Sequence, residues 1–165
     1  MTIKTSWHIK IIGLIVTICI IVDQASKSLA FYYLTPPFKY LSNGTYSLPI
    51  INNYFDLTCS LNTGIAFGMG QNLNIFFTIF TTIIIFSMGY FYKQFAVDNI
   101  STYGFSLIFG GAIGNLIDRI FYNAVRDFID IHYYNHHWPI FNIADSCISI
   151  GVGLIIMSSF IQNKQ

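Results

Sequence analysis

"GNLIDRI", residues 114–120, decides how this chain folds. Residues 99–117 carry no charge, and then an aspartate and an arginine arrive together at Asp118 and Arg119, just after Asn115. The Asn-x-x-Asp pattern returns at residues 142–145, "NIAD". An ionisable group inside a membrane span costs about 2.5–3.5 kcal/mol on insertion scales and is a sign of function. That cost arises only if the chain around this stretch belongs in a bilayer.

Composition says that it does. The chain has 165 residues, enough for one domain, and is 54% hydrophobic and 18% aromatic. Only 9% of residues are charged, against about 25% in a typical soluble domain. Mean hydropathy is +0.58. The net charge of +1 gives no electrostatic case for nucleic acid. Every acidic residue is aspartate, and Asp118, Asp127, Asp130 and Asp145 cluster in one stretch, unlike acid scattered for solubility. Cys19, Cys59 and Cys147 are an odd, widely spaced set that suits neither a disulfide framework nor a zinc site. They read as small buried apolar residues. Lys4 and Lys10 before an apolar run imitate a secretory signal. The run continues past Asp23 and Lys27, so we read it as an uncleaved first span.

A spanning helix needs roughly 20 apolar residues. Four segments qualify, at about 10–33, 72–92, 100–118 and 139–161, within a single domain of residues 1–165. Tyr and Trp clusters near several ends suit the membrane interface. The first loop, 34–71, contains "INNYFDLTCSL", a mixture of β-branched, aromatic and polar residues that suggests short strands. The loop 119–138 suggests a short interfacial helix. With four spans, the end of the first, the end of the third and the start of the fourth face one side. Crossing parity alone therefore gathers Asp23, Asn62, Asp118 and Asp145 at one membrane face. Lys4, Lys10, Lys93 and Lys164 fall on one side and Lys27, Lys39, Arg119 and Arg126 on the other, a tie. Setting aside Lys27 and Arg119, which sit in polar clusters, tips the positive-inside rule toward cytoplasmic termini.

Positions i and i+3 share a helix face, which puts Asn115 beside Asp118 and Asn142 beside Asp145. Two carboxylates converging in a partly dry site share a proton. The charged member can take a proton from water and the neutral one can polarise a carbonyl, which is aspartic protease chemistry. Two other readings stay open at this point. Asp118 and Asp145 could cap helices or pair with Arg119 and Arg126, and intramembrane carboxylates could relay protons or ions in a small carrier. Asp127 and Asp130 fit a solvated loop. Asp23 and Lys27, at i and i+4, suit a helical ion pair that also holds the first span against the site.

Five blocks carry a family resemblance: "DQASK" (23–27), "NTGIAFG" (62–68), "GNLIDR" (114–119), "VRDFID" (125–130) and "FNIAD" (141–145). In this order they resemble the signature blocks of lipoprotein signal peptidase, or signal peptidase II. The resemblance implies an all-α integral membrane fold: a four-helix bundle with a small extracytoplasmic β-cradle and a short interfacial helix. It implies an aspartic endopeptidase of the bacterial inner membrane, free of cofactor and metal. Its substrates would be diacylglyceryl-modified prolipoproteins, cut just before the lipidated cysteine, with the lipid left in the bilayer. It implies a catalytic dyad at Asp118 and Asp145, near the extracytoplasmic face, with Asp23, Lys27, Asn62, Gly64, Asn115, Arg119 and Asn142 shaping the site and holding substrate. Arg126 departs mildly from the family, which usually has an uncharged residue there. A solvated loop arginine is expected, with contact to lipid headgroups or substrate as the other reading.

Other features read blandly. His132 and His136 are spaced as in a zinc helix, but the motif needs a glutamate and the chain contains none. "GFS" (104–106) has no histidine in a later span to act as its base. Gly110 and Gly114 form GxxxG, which suggests close helix packing, as do Gly151 and Gly153. Ile18 before Cys19 is not the small residue that a lipidation site needs, so the chain resembles the processor and not a substrate.

Overall fold

The computed structural model describes residues 2–34, 46–64 and 73–163. Lys39, Lys164 and residues 65–68 of the second block lie outside them. Among the described residues, three helices are long and apolar enough to cross a membrane: α1 (Thr2–Leu34, from Trp7 onward), α4 (Asn99–Tyr122) and α5 (Ile143–Gln162). Between them lie α2 (Asn74–Tyr90), apolar but shorter, and the single turn α3 (Tyr92–Phe95). The run "TIFTTIIIF" in α2 is rich in β-branched residues, poor helix formers in water. The segment is helical all the same, apolar and closing its backbone hydrogen bonds within itself. Large apolar side chains point outward, among them Ile75, Phe86 and Phe160.

Two boundaries differ from expectation. α4 runs on past Asp118 to Tyr122, so Asp118 and Arg119 sit inside its last turns. α5 starts at Ile143 because Pro139 breaks the helix and Phe141 is bound elsewhere, its N–H donating to the carbonyl of Ile129 at 3.1 Å.

The chain divides into two compact units. The first comprises Met1–Asp23, Ile79–Leu116 and Ile143–Gln165, and small residues pack its helices. A Cβ added to Gly104 would stand 2.7 Å from the Gly151 carbonyl oxygen, and one on Gly151 2.6 Å from that of Gly104. At Gly110 it would meet the Cys19 Cβ at 2.8 Å. The backbones of α4 and α5 therefore touch, and Gly110 admits α1. Gly153 differs from expectation, since a Cβ there meets nothing within 4 Å. At the start of α4 the Asp98 carboxylate accepts from the Ser101 backbone N–H at 2.7 Å, an N-cap, and from Ser158 Oγ at 2.6 Å and Gln162 Nε2 at 2.7 Å. Burial pushes this carboxyl up, but those donors outweigh it and hold it below the usual carboxylate range.

The second unit, Gln24–Thr78 and Ile117–Asn142, contains a four-stranded antiparallel sheet in the order β1-β2-β3-β4. Its strands are β1 (Tyr46–Ile51), β2 (Phe55–Asn62), β3 (Val125–Tyr133) and β4 (His136–His137). The strands expected in the first loop are present as β1 and β2. The interfacial helix expected within 119–138 is not found, because that stretch carries β3 and β4. Asn123, at φ 57°, ends α4 in the left-handed region. Asn74 Nδ2 then donates to the Arg119 carbonyl at 3.2 Å and to Asn123 Oδ1 at 2.8 Å, capping the helix end. "VRDFIDIHY" pairs with β2 from Phe55↔Ile131 to Asn62↔Val125, with a bulge between Leu57 and Ser60. Pro49 lies on the edge strand β1 at a shift in register, where a missing N–H is tolerated.

Candidate active site

The first unit places Asp145 in the opening turn of α5, where the helix dipole favours a negative charge. Asn115 Nδ2 donates to Asp145 Oδ1 at 2.8 Å. Asp23 is fully buried, and its Oδ1 accepts from the Ala144 backbone N–H at 2.9 Å. It thereby satisfies one of the otherwise unpaired donors at the start of α5. The absence of a side chain at Gly114 makes room for it, because a Cβ there would stand 2.7 Å from Asp23 Oδ2.

The second unit holds the other expected residues in two groups. One surrounds Asp118, which is fully buried. Lys27 Nζ lies 3.4 Å from its Oδ2. Arg126 Nη2 donates to Oδ1 at 2.9 Å, and the Arg126 backbone N–H donates to Oδ2 at 2.9 Å. Gln24 Nε2 adds a bond to Oδ1 at 3.0 Å. Asp118 is therefore an anion held by two cations, with both oxygens engaged.

The other group surrounds Asp127, which is 2% exposed. Asn142 Nδ2 donates to its Oδ1 at 2.6 Å, and Asn62 Nδ2 to its Oδ2 at 3.0 Å. The Asn62 amide is oriented from behind, since its Oδ1 accepts from the Gly64 backbone N–H at 3.0 Å. Arg119 Nη2 donates to the Gly64 carbonyl at 3.3 Å, holding the same turn. The position of Asn142 follows from its neighbour, because the Phe141 carbonyl accepts from the backbone N–H of Ile129, at 2.9 Å, and of Phe128. Asn142 therefore stands before α5 and not on its face.

Three expectations are corrected here. Asp127 and Asp130 do not sit in a solvated loop, for both are buried in β3, the latter 4% exposed. Arg126 is not a solvated arginine, being 4% exposed and bound inward. The Asn–Asp partnerships observed cross between blocks: Asn115 with Asp145, and Asn142 with Asp127. Sequence reasoning passed over Asp127, Gln24 and Arg126, although "VRDFID" and "DQASK" were both in view. An acid between Arg126 and Phe128 in a β-rich stretch was the available signal.

The comparisons with known proteins agree with one another. The sequence pattern of the family described as Signal peptidase (SPase) II matches residues 15–161. The chain is 39% identical over 155 residues to a lipoprotein signal peptidase of Syntrophotalea carbinolica, which covers 92% of this chain and 91% of that protein. It is similar to two solved structures described as bacterial membrane enzymes obtained by the in meso method. The first is at 2.3 Å resolution, with a TM-score of 0.78 and 35% identity, over 94% of this chain and 90% of that one. The second is at 1.9 Å, with a TM-score of 0.68 and 35% identity, over 91% and 92%.

Proposed function

Given that this chain belongs to the signal peptidase II family, a family of proteases, we propose that it removes signal peptides from diacylglyceryl-modified prolipoproteins, cutting just before the lipidated cysteine. It would act in the bacterial inner membrane, without metal or cofactor. We further propose four spans, with α2 as the fourth. α2 has 17 residues, and spanning helices use roughly 17–25. Four crossings put both termini on one side, and the lysine balance favours the cytoplasm. The diacylglyceryl chains then stay in the bilayer while the peptide bond reaches a site near the outer face.

The chemistry is assigned to two aspartates and one water. The ionised carboxylate takes a proton from water as its oxygen attacks the scissile carbonyl carbon. The protonated carboxyl hydrogen-bonds the carbonyl oxygen, and a proton then passes to the leaving amine. No covalent intermediate forms. Asp145, with Asn115 on its Oδ1, is one member. The sequence reading points to Asp118 as the other. The bonding favours Asp127: the observation that carries this reading is that two motif amides, Asn62 and Asn142, both aim at Asp127. Asp118, gripped by Arg126 and Lys27, suits a fixed structural anion. Asp23, Lys27, Gly64 and Arg119 support these groups or hold substrate backbone.

Purified protein in detergent, given a diacylglyceryl-modified precursor and its unmodified form, tests the substrate assignment. The expected result is cleavage of the modified precursor alone, just before the lipidated cysteine by mass spectrometry, at a rate unchanged by EDTA. Equal cleavage of both forms, or loss of activity with EDTA, contradicts it.

A further inference from the structure

We propose that Arg126 is a positioning residue for proteolysis, fixing the start of β3 so that Asp127, the next residue, is presented in one place. The inference rests on Asp127 belonging to the carboxylate pair. Arg126 grips Asp118 with side chain and main chain together. Nη2 donates to Oδ1 at 2.9 Å, Nε to Oδ2 at 3.3 Å, and the backbone N–H to Oδ2 at 2.9 Å. A side-chain ion pair alone would fix only the guanidinium. The added N–H bond fixes the peptide plane that leads into β3.

The guanidinium is itself held on its remaining sides. Nη2 donates to Gln24 Oε1 at 3.0 Å and Nη1 to Ser28 Oγ at 3.3 Å, both on α1. The Tyr122 ring lies 4.0 Å from the guanidinium carbon. Gln24 closes the loop by donating its own amide to Asp118 Oδ1 at 3.0 Å. Successive residues in a strand point to opposite faces, so Asp127 projects away from this clamp toward Asn62 and Asn142. A planar fork held at several points cannot be reproduced by the point charge of lysine. The clamp thus does more than balance the charge on Asp118.

The test measures kcat and KM on a diacylglyceryl-modified precursor, with melting in detergent, for wild type, Arg126→Lys, the double variant Asp118→Asn/Arg126→Gln, and Asp127→Asn. The double variant removes both ends of the clamp, leaves Lys27 without its Asp118 partner, and is read only if its melting shows it folded. The expected result is a fall in kcat of roughly 10- to 100-fold in Arg126→Lys and in the double variant, with KM within about two-fold of wild type. Wild-type kcat in both folded variants overturns the proposal and leaves Arg126 a charge-balancing role only. Asp127→Asn separates the two layers. If it cleaves, the assignment of Asp127 falls; if it is inactive while the Arg126 variants keep wild-type kcat, only the positioning role falls.

Discussion

At the scale of single residues, the bonds around the aspartates divide their roles more sharply than the motifs do. Spacing in the sequence marked both Asn-x-x-Asp copies, and helical periodicity paired each asparagine with the aspartate of its own copy. Asn115 is helical, yet its bond to Asp145 joins residues 30 apart in sequence. Asn142 precedes α5, so the i, i+3 rule never applied to it. Such long-range partners cannot be read from local spacing. Asn62 was named from its block, but its hydrogen-bond partner, Asp127, was not. Removing the Asn62 amide takes one donor from buried Asp127 Oδ2, and leaving a buried acceptor short of a donor costs about 1–3 kcal/mol. Asn62→Ala should therefore lower kcat/KM roughly 5- to 150-fold. Initial rates measure this, and an unchanged value would detach Asn62 from Asp127's work.

At the scale of elements, the apolar helices were legible because length and hydropathy are summed over many residues. β1 and β2 were legible from their mixed composition. β3 was missed because charged residues in "VRDFIDIHY" suggested a surface loop, while their partners lie on α1, α4, β2 and β4 or just before α5. Helix packing yields a paired prediction. Gly151→Ala would drive a Cβ into the Gly104 carbonyl and cost about 1–3 kcal/mol, whereas Gly153→Ala meets nothing within 4 Å. Melting in detergent should fall for the first and hold for the second; equal melting of both contradicts the packing. The β3–β4 hairpin yields a pH prediction. His132 Nδ1 faces the Tyr134 carbonyl at 2.9 Å, and Nε2 faces Asp56 Oδ1 at 3.2 Å. His137 stacks on it with ring centroids 4.5 Å apart and pairs with Asp130 at 2.8 Å. The Tyr134 carbonyl raises the His132 pKa first, burial opposes, and Asp56 and Asp130 add to the rise. The stabilisation is therefore complete below the ordinary histidine value and is lost as pH rises through the raised one. Protection of the His132 and Tyr134 amides, relative to an unstructured peptide at the same pH, should fall across that window, and rising protection there would refute the sign.

At the scale of the molecule, composition alone identified a membrane protein, and five short blocks in order identified the family, because each block constrains only a few residues while their order constrains the whole chain. Crossing parity gathers the polar residues at one face, and the lysine balance then expects cytoplasmic termini. Reporter fusions test it: the N-terminus, the C-terminus and the turn near Lys93 should all report cytoplasm, and a split between the termini would reject four spans. The hydrogen bonds, and not the blocks, separate the acid gripped by Lys27 and Arg126 from the acid met by Asn62 and Asn142. One experiment addresses this most directly: cleavage of a diacylglyceryl-modified precursor by wild type, Asp118→Asn, Asp127→Asn and Asp145→Asn, each verified as folded. We expect no cleavage by Asp127→Asn or Asp145→Asn, and measurable residual cleavage by Asp118→Asn. Cleavage by folded Asp127→Asn, with none by Asp118→Asn, would contradict this account and return the pair to Asp118 and Asp145.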